Sequence, residues 1–129
     1  MAQQHGLEFC YGSDSSAKVR WQIPLERGKQ GEVTKWEEDR IVEYEVFRRM
    51  EFNSDRKRMS IVLRDPEDGF YKLYCKGADS IIKERLDMRQ TSSLMMEKID
   101  TFLTQASVKG FRTLLMAMKI LDEVEVQNF

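Results

Sequence analysis

Two turn-forming clusters, with a short β-rich run between them, constrain this chain more than any other feature. Ser60 to Arg64, with Ile61-Val62-Leu63 at its centre, reads as a strand. Pro66-Glu67-Asp68-Gly69 follows at once and has the composition of a hairpin turn. Phe70 to Cys75 then returns antiparallel. Upstream, Asp39 to Phe47 mixes β-branched and aromatic residues with charges at period two. Val42, Tyr44 and Val46 fall on one face, so the run predicts a long, half-exposed strand, and a turn-like Asn53-Ser54-Asp55 follows Phe52. Strands joined so closely pair antiparallel.

The flanks extend this pattern. Leu7 to Tyr11 reads as a short strand with Leu7, Phe9 and Tyr11 on one face. Gly12 to Ser16 is a turn, and Lys18 to Ile23 returns with Val19, Trp21 and Ile23 alternating against polar residues. Pro24 to Lys35, polar and carrying Gly28 and Gly31, reads as a mobile surface loop. Ala78 to Leu86 is expected to be helical, with Asp79 as a first-turn acid. Ser92 to Val108 is expected to be a longer amphipathic helix with Leu94, Met95, Ile99, Phe102, Leu103 and Ala106 as its apolar stripe, stopped by Gly110. Arg112 to Ile120 reads as a central strand covered on both faces, because Leu114-Leu115-Met116-Ala117-Met118 is uniformly apolar. Asp122 to Phe129 is a frayed tail or the start of a helix. Strand runs joined by hairpins, with helices inserted late, predict one α+β domain over residues 1–129, built on a largely antiparallel sheet with flanking helices.

Composition narrows the function. A chain of 129 residues can bury a real core. Its formal net charge of -1 supplies no global field toward nucleic acid or an anionic membrane, so a basic site must be local. Cys10 and Cys75 lie far apart and His5 is the sole histidine, which argues against a zinc site and for two reduced thiols. No apolar run is long enough to span a bilayer, and no signal peptide is evident.

Chemistry concentrates in two runs. Glu51-Phe52-Asn53-Ser54-Asp55-Arg56-Lys57-Arg58-Met59-Ser60 sets an aromatic beside a cation cluster, which can serve a base and its phosphates together. Most phenylalanines are core, so Phe52 also fits an edge-strand core aromatic, and the cations also fit a solvated basic turn. Strand alternation would put Arg56 and Arg58 on one side and Lys57 on the other. Lys76-Gly77-Ala78 sits between a strand and a helix, where Gly77 allows close backbone approach and free helical N–H groups favour anions. A tight strand-to-helix junction alone would also account for it. Gly110-Phe111-Arg112-Thr113-Leu114 is a third run, explicable as a helix stop before a strand.

In order and spacing, from about Leu7 to about Asp122, these runs resemble the nucleotide-binding (N) domain of P-type ATPases. The Glu-Phe-Asn-Ser-Asp-Arg-Lys-Arg-Met-Ser and Tyr-Cys-Lys-Gly-Ala-Asp-Ser runs resemble the type IV, phospholipid-transporting (flippase) branch. The resemblance implies a nucleotide site in which Phe52 stacks on adenine, Ser54 lies by the base or ribose, Lys57 reaches the phosphates and Lys76 with Gly77 lines the base of the pocket. It also implies Arg112 on the phosphate side and Leu114 as an apolar wall, with Phe111 standing where the family usually has Leu. It further implies a truncated cytosolic domain of a larger membrane ATPase, at the cytosolic face of a membrane. The parent would use ATP and Mg2+ and move phospholipid through its membrane domain. No Asp-Lys-Thr-Gly run, Walker A pattern or Gly-rich dinucleotide loop occurs here, so the phosphorylated aspartate and the magnesium ligands are expected elsewhere in the parent, in its phosphorylation domain. No catalytic residue or metal ligand is therefore expected in this chain. By itself it should bind ATP without hydrolysing it.

Two other readings stand beside this one. Another P-type branch, a cation pump, would share the pocket. A non-catalytic interaction module would use Arg56-Lys57-Arg58 as a basic patch for an acidic partner or a phosphoinositide. Nucleic acid is disfavoured, because the aromatics form no repeated stacking platform.

Overall fold

The structure is a computed structural model that describes residues 7–21, 24–29, 33–36 and 40–129. Its strands are β1 (Leu7–Gly12), β2 (Ser16–Trp21), β3 (Pro24–Arg27), β4 (Val33–Trp36), β5 (Arg40–Asn53), β6 (Arg58–Arg64), β7 (Tyr71–Gly77) and β8 (Leu115–Leu121). Its helices are α1 (Asp79–Lys83), α2 (Ser93–Val108) and α3 (Glu123–Gln127). The main sheet has the order β1-β2-β5-β6-β7-β8, and β3-β4 form a separate antiparallel pair. β1 with β2 and β2 with β5 are antiparallel, with a register slip between Phe9 and Tyr11. The expected α+β architecture on a largely antiparallel sheet is what forms.

Several expectations change in detail. Pro24 to Lys35 is not a plain loop: its described residues hold β3 and most of β4, which pair antiparallel. Ile23 lies outside the described residues. β5 runs to Asn53, so Phe52 sits within a strand. The expected face of β5 does form, with Val42 and Val46 buried and Tyr44 half-buried.

β8 ends the strand order instead of lying centrally, and Met116, Met118 and Ile120 are exposed. Uniform apolarity hid a one-sided strand. The helix after Lys76-Gly77-Ala78 is also shorter than expected, because regular hydrogen bonding stops at Lys83.

The chain divides into two compact units. One comprises residues 1–48, 62–72 and 121–129, and its buried residues include Val42, Val46, Val62, Asp65 and Leu121. The other comprises residues 49–61 and 73–120 and buries Ser60, Ile82, Leu103 and Ala106. Ile82, at 1% exposure, contributes about 1.5–3 kcal/mol by leaving water.

α2 starts on Ser92, whose hydroxyl accepts from the Met95 N–H at 3.2 Å, a cap that contributes about 1 kcal/mol. It ends in a Schellman motif: Phe111 N–H donates to Ala106 O and Gly110 N–H to Ser107 O, with Gly110 at φ +73°. Its buried strip is narrower than the expected stripe. Leu103 and Ala106 are buried and Ile99 is half-buried, whereas Leu94, Met95 and Phe102 are exposed. Among the described residues no helix is long and apolar enough to cross a membrane.

Candidate functional site

All seven residues singled out by the sequence fall in the second unit. Phe52 is the penultimate residue of β5 and is 63% exposed. Such a ring, left in water at a strand end, is not a core aromatic.

The turn that follows is built by Asn53. Its side-chain Oδ1 accepts the N–H groups of Asp55 (2.7 Å) and Arg56 (3.2 Å), and its carbonyl accepts from the Lys57 N–H at 2.7 Å. Ser54 is exposed on this turn. The strand alternation expected for Arg56, Lys57 and Arg58 therefore does not apply, because residues 54–57 are turn. Arg58 folds back to donate from Nη1 to the Arg56 carbonyl at 3.1 Å, which commits it to the turn.

Lys57 closes the turn at φ +50° and is the one non-glycine residue of the described chain with positive φ. A lysine there costs about 1–2 kcal/mol relative to an ordinary conformation, and its side chain is exposed.

Lys76 and Gly77 end β7. Lys76 is exposed, whereas Gly77 is buried. A Cβ on Gly77 would stand 2.6 Å from the Lys57 carbonyl oxygen and 2.7 Å from Arg58 Cβ. The next residue, Ala78, donates its N–H to the same Lys57 oxygen at 3.3 Å. The two cationic runs, far apart in sequence, are thus packed backbone to backbone, and the close approach that Gly77 permits here is to the Lys57 peptide. Among the described residues neither Lys57, Lys76 nor Arg112 forms an ion pair, so all three charges remain available.

The N-terminus of α1 is less open than the sequence suggested. The helix is five residues long, and the Asp79 carboxylate itself accepts from the Ser80 N–H at 2.7 Å. The chain's own acid occupies the place where free N–H groups would have favoured an anion.

Lys76 also lines a cavity of ≈ 250 Å3 with Arg49, Met59, Ile61, Tyr74 and Met116. Ser60 and Cys75 border it and are joined by a 3.3 Å hydrogen bond from the Ser60 hydroxyl to the Cys75 sulfur. Met59 and Tyr74 were missed from sequence, although period two carried the signal. Tyr74 is two residues from Lys76 on one strand, and Met59 alternates with buried Ser60.

Arg112 and Leu114 lie in the irregular segment between the α2 stop and β8, both exposed, Leu114 by 65%. Neither lines this cavity, but Met116, two residues beyond Leu114, does. Among the described residues no group of three or more His, Cys, Asp or Glu gathers that could hold a metal ion. The structure therefore offers an exposed aromatic, a lysine on the wall of a largely apolar cavity, and a second lysine held on a strained turn.

A family model described as P-type ATPase, cytoplasmic domain N, matches residues 31–129. Phospholipid-transporting ATPase IC of Homo sapiens is 46% identical over 83 residues, covering 64% of this chain and 6% of the relative. Phospholipid-transporting ATPase DRS2 of Saccharomyces cerevisiae is 42% identical over 87 residues, 67% of this chain and 6% of the relative. Probable phospholipid-transporting ATPase 5 of Arabidopsis thaliana is 36% identical over 124 residues, 96% of this chain. The chain spans less than a tenth of the length of these relatives, 9% in this last case.

Proposed function

The chain belongs to the family of P-type ATPase cytoplasmic N domains, and on that premise we propose that it binds ATP and positions it for phosphoryl transfer to an aspartate in a separate phosphorylation domain of a phospholipid-transporting ATPase. Phe52 stacks on adenine, with Ser54 beside the base or ribose. Lys76 floors the base site, buried Gly77 backs it without touching the base, Leu114 walls it from outside the ≈ 250 Å3 cavity, and Lys57 and Arg112 meet the phosphates. The observation that carries this reading is the packing of the Lys57 peptide on Gly77, the neighbour of Lys76, with both lysines exposed and neither in an ion pair among the described residues.

The contribution of such a domain is orientation and charge neutralisation. Holding the γ-phosphoryl group in line with its acceptor removes entropy from the barrier, and ammonium groups offset the phosphate charge. Magnesium, which the family implies, would neutralise the same phosphates with ligands supplied elsewhere in the parent. The parent would act at the cytosolic face of a membrane, with phospholipid handled by its membrane domain. The basic-patch alternative is weakened by Arg58, which is folded onto the Arg56 carbonyl instead of being presented outward.

An amide NMR titration with ATP, GTP and AMP tests the site. Shifts should cluster at Phe52, Lys57, Lys76 and Arg112 and be stronger for ATP than for GTP. Phe52→Ala should cost roughly 1–3 kcal/mol of binding, as base–aromatic stacking does elsewhere. Equal ATP affinity in wild type and Phe52→Ala would sink the stacking assignment.

A further inference from the structure

We propose that Gly77 is a positioning residue for the phosphate end of the ligand: its bare Cα is the surface against which the left-handed Lys57 peptide docks, and this contact fixes Lys57 relative to Lys76. The inference rests on the nucleotide reading above and deepens it.

Three observations converge on it. Lys57 adopts φ +50°, which a lysine takes only when its surroundings hold it there. Its carbonyl accepts the Ala78 N–H at 3.3 Å. No Cβ fits on Gly77, because that atom would lie 2.6 Å from the Lys57 oxygen, 2.7 Å from Arg58 Cβ and 3.0 Å from Arg58 Cα, distances at which something must shift. The nearest atoms are mostly backbone, so the turn would have to move as a body. That movement would carry the Lys57 ammonium away from its place while leaving Phe52, on the other side of the Asn53 turn, in its strand.

The repeat of the same turn elsewhere sharpens the point. Asp65 starts a second turn of the same type, closed by an N–H from Gly69 to the Asp65 carbonyl at 2.8 Å, and there the left-handed position is a glycine with nothing within 4 Å of its absent Cβ. A left-handed glycine needs no docking partner, whereas a left-handed lysine has one.

The test uses the chain in two variants. Gly77→Ala inserts the clashing Cβ. Ala78→Pro replaces the N–H bonded to Lys57 by a ring Cδ that presses on the Lys57 oxygen, so it breaks the same contact from the neighbouring residue without a Cβ on Gly77, and Ala78 already has φ -55°, which proline accepts. Affinities for ATP and for adenosine, melting temperature and Ala78 amide exchange are read together. Each variant should lose roughly tenfold in ATP affinity while adenosine affinity changes by less than about twofold. Melting should fall by no more than a few degrees, the cost of the displaced turn, and the protection of the Ala78 amide in wild type should disappear in Gly77→Ala. ATP affinity unchanged in both variants would overturn the proposal. So would a parallel loss of ATP, adenosine and melting temperature, which would make Gly77 structural only. If wild type binds no ATP, the nucleotide reading fails on its own; a protected Ala78 amide that Gly77→Ala exposes would still support the docking contact, and an unprotected one would overturn it.

Discussion

Two turns of this chain share one design and differ in what they do with charge. Each begins on an Asx residue whose side chain accepts backbone N–H groups of the turn, Asn53 from Asp55 and Arg56 and Asp65 from Glu67. Each is closed by an N–H four residues on, Lys57 to Asn53 at 2.7 Å and Gly69 to Asp65 at 2.8 Å, from a residue with positive φ. In the second turn the charges are used up locally. Lys72 bonds Asp65 at 2.7 Å and Asp68 at 2.6 Å, the Asp65 and Lys72 side chains are each only 12% exposed, and Arg40 pairs with Glu67. Around it the Phe47 and Tyr71 rings meet edge to face at 5.1 Å, and Arg64 lies over Tyr71.

In the first turn Lys57 is exposed, without an ion pair, and strained where a glycine would be relaxed. One turn uses its charge to fold. The other accepts strain and leaves its charge free, and the position where local consistency breaks is where a ligand is expected.

Removing the cation from each turn gives the largest separation. Lys57→Ala should lower ATP affinity by about 1.5–3 kcal/mol, the worth of hydrogen bonds to a charged group, and leave melting unchanged or raised. Lys72→Ala should do the opposite. It strands the buried Asp65 carboxylate, so melting should fall by several degrees while ATP affinity holds. Isothermal titration and a thermal melt on both variants would read this. A loss of ATP binding in Lys72→Ala equal to that in Lys57→Ala would erase the contrast.

Exchanging the left-handed residues gives a smaller effect. Gly69→Ala has open space for its Cβ, so its cost is purely conformational, about 1–2 kcal/mol. Lys57→Gly should relieve the same strain. Its gain is at most about 1 kcal/mol, because glycine also frees the unfolded chain, and ATP binding should fall with it. Urea melts of the two variants should therefore shift in opposite directions.

Sequence made much of this visible. The Asn53 turn, the Pro66–Gly69 turn, the Ser92 and Gly110 ends of α2 and the Val42–Val46 face of β5 all follow from local chemistry read at the right period. What sequence could not show was non-local or conformational. That Gly77 faces the Lys57 carbonyl is a contact between runs twenty residues apart, and that Lys57 takes positive φ runs against its residue type. The exposed side of β8 was hidden because Met116, Met118 and Ile120 are as apolar as Leu115 and Leu121 on the other side. The cavity walls Met59 and Tyr74 were legible in principle, as alternates of Ser60 and Lys76, but only after the strands were in register.

The smallest expected effect concerns pH, and it separates the turns by stability alone. Hydrogen bonding to Lys72, and then to the Phe70 N–H, holds the Asp68 carboxyl below its ordinary value. Hydrogen bonding to Asp65 and Asp68 holds the Lys72 ammonium above 10.5. A depressed carboxyl stabilises the fold above its unfolded value and loses that contribution as pH falls through the folded one. A raised ammonium stabilises below its unfolded value and loses that contribution as pH rises through the folded one. Between about pH 4 and pH 10 the second turn's contribution should be constant, and it should decline on either side of that window. Asp87, held down first by the Arg89 guanidinium and then by the Arg89 N–H, adds to the acid limb from the other unit. Lys72→Met should therefore flatten the alkaline limb and reduce the acid limb, what remains of the latter being due to Asp87 and to the Phe70 N–H on Asp68. Melts of wild type and variant from pH 3 to pH 11 would show this, and superimposable alkaline limbs would mean that the Lys72 pairs contribute nothing to stability.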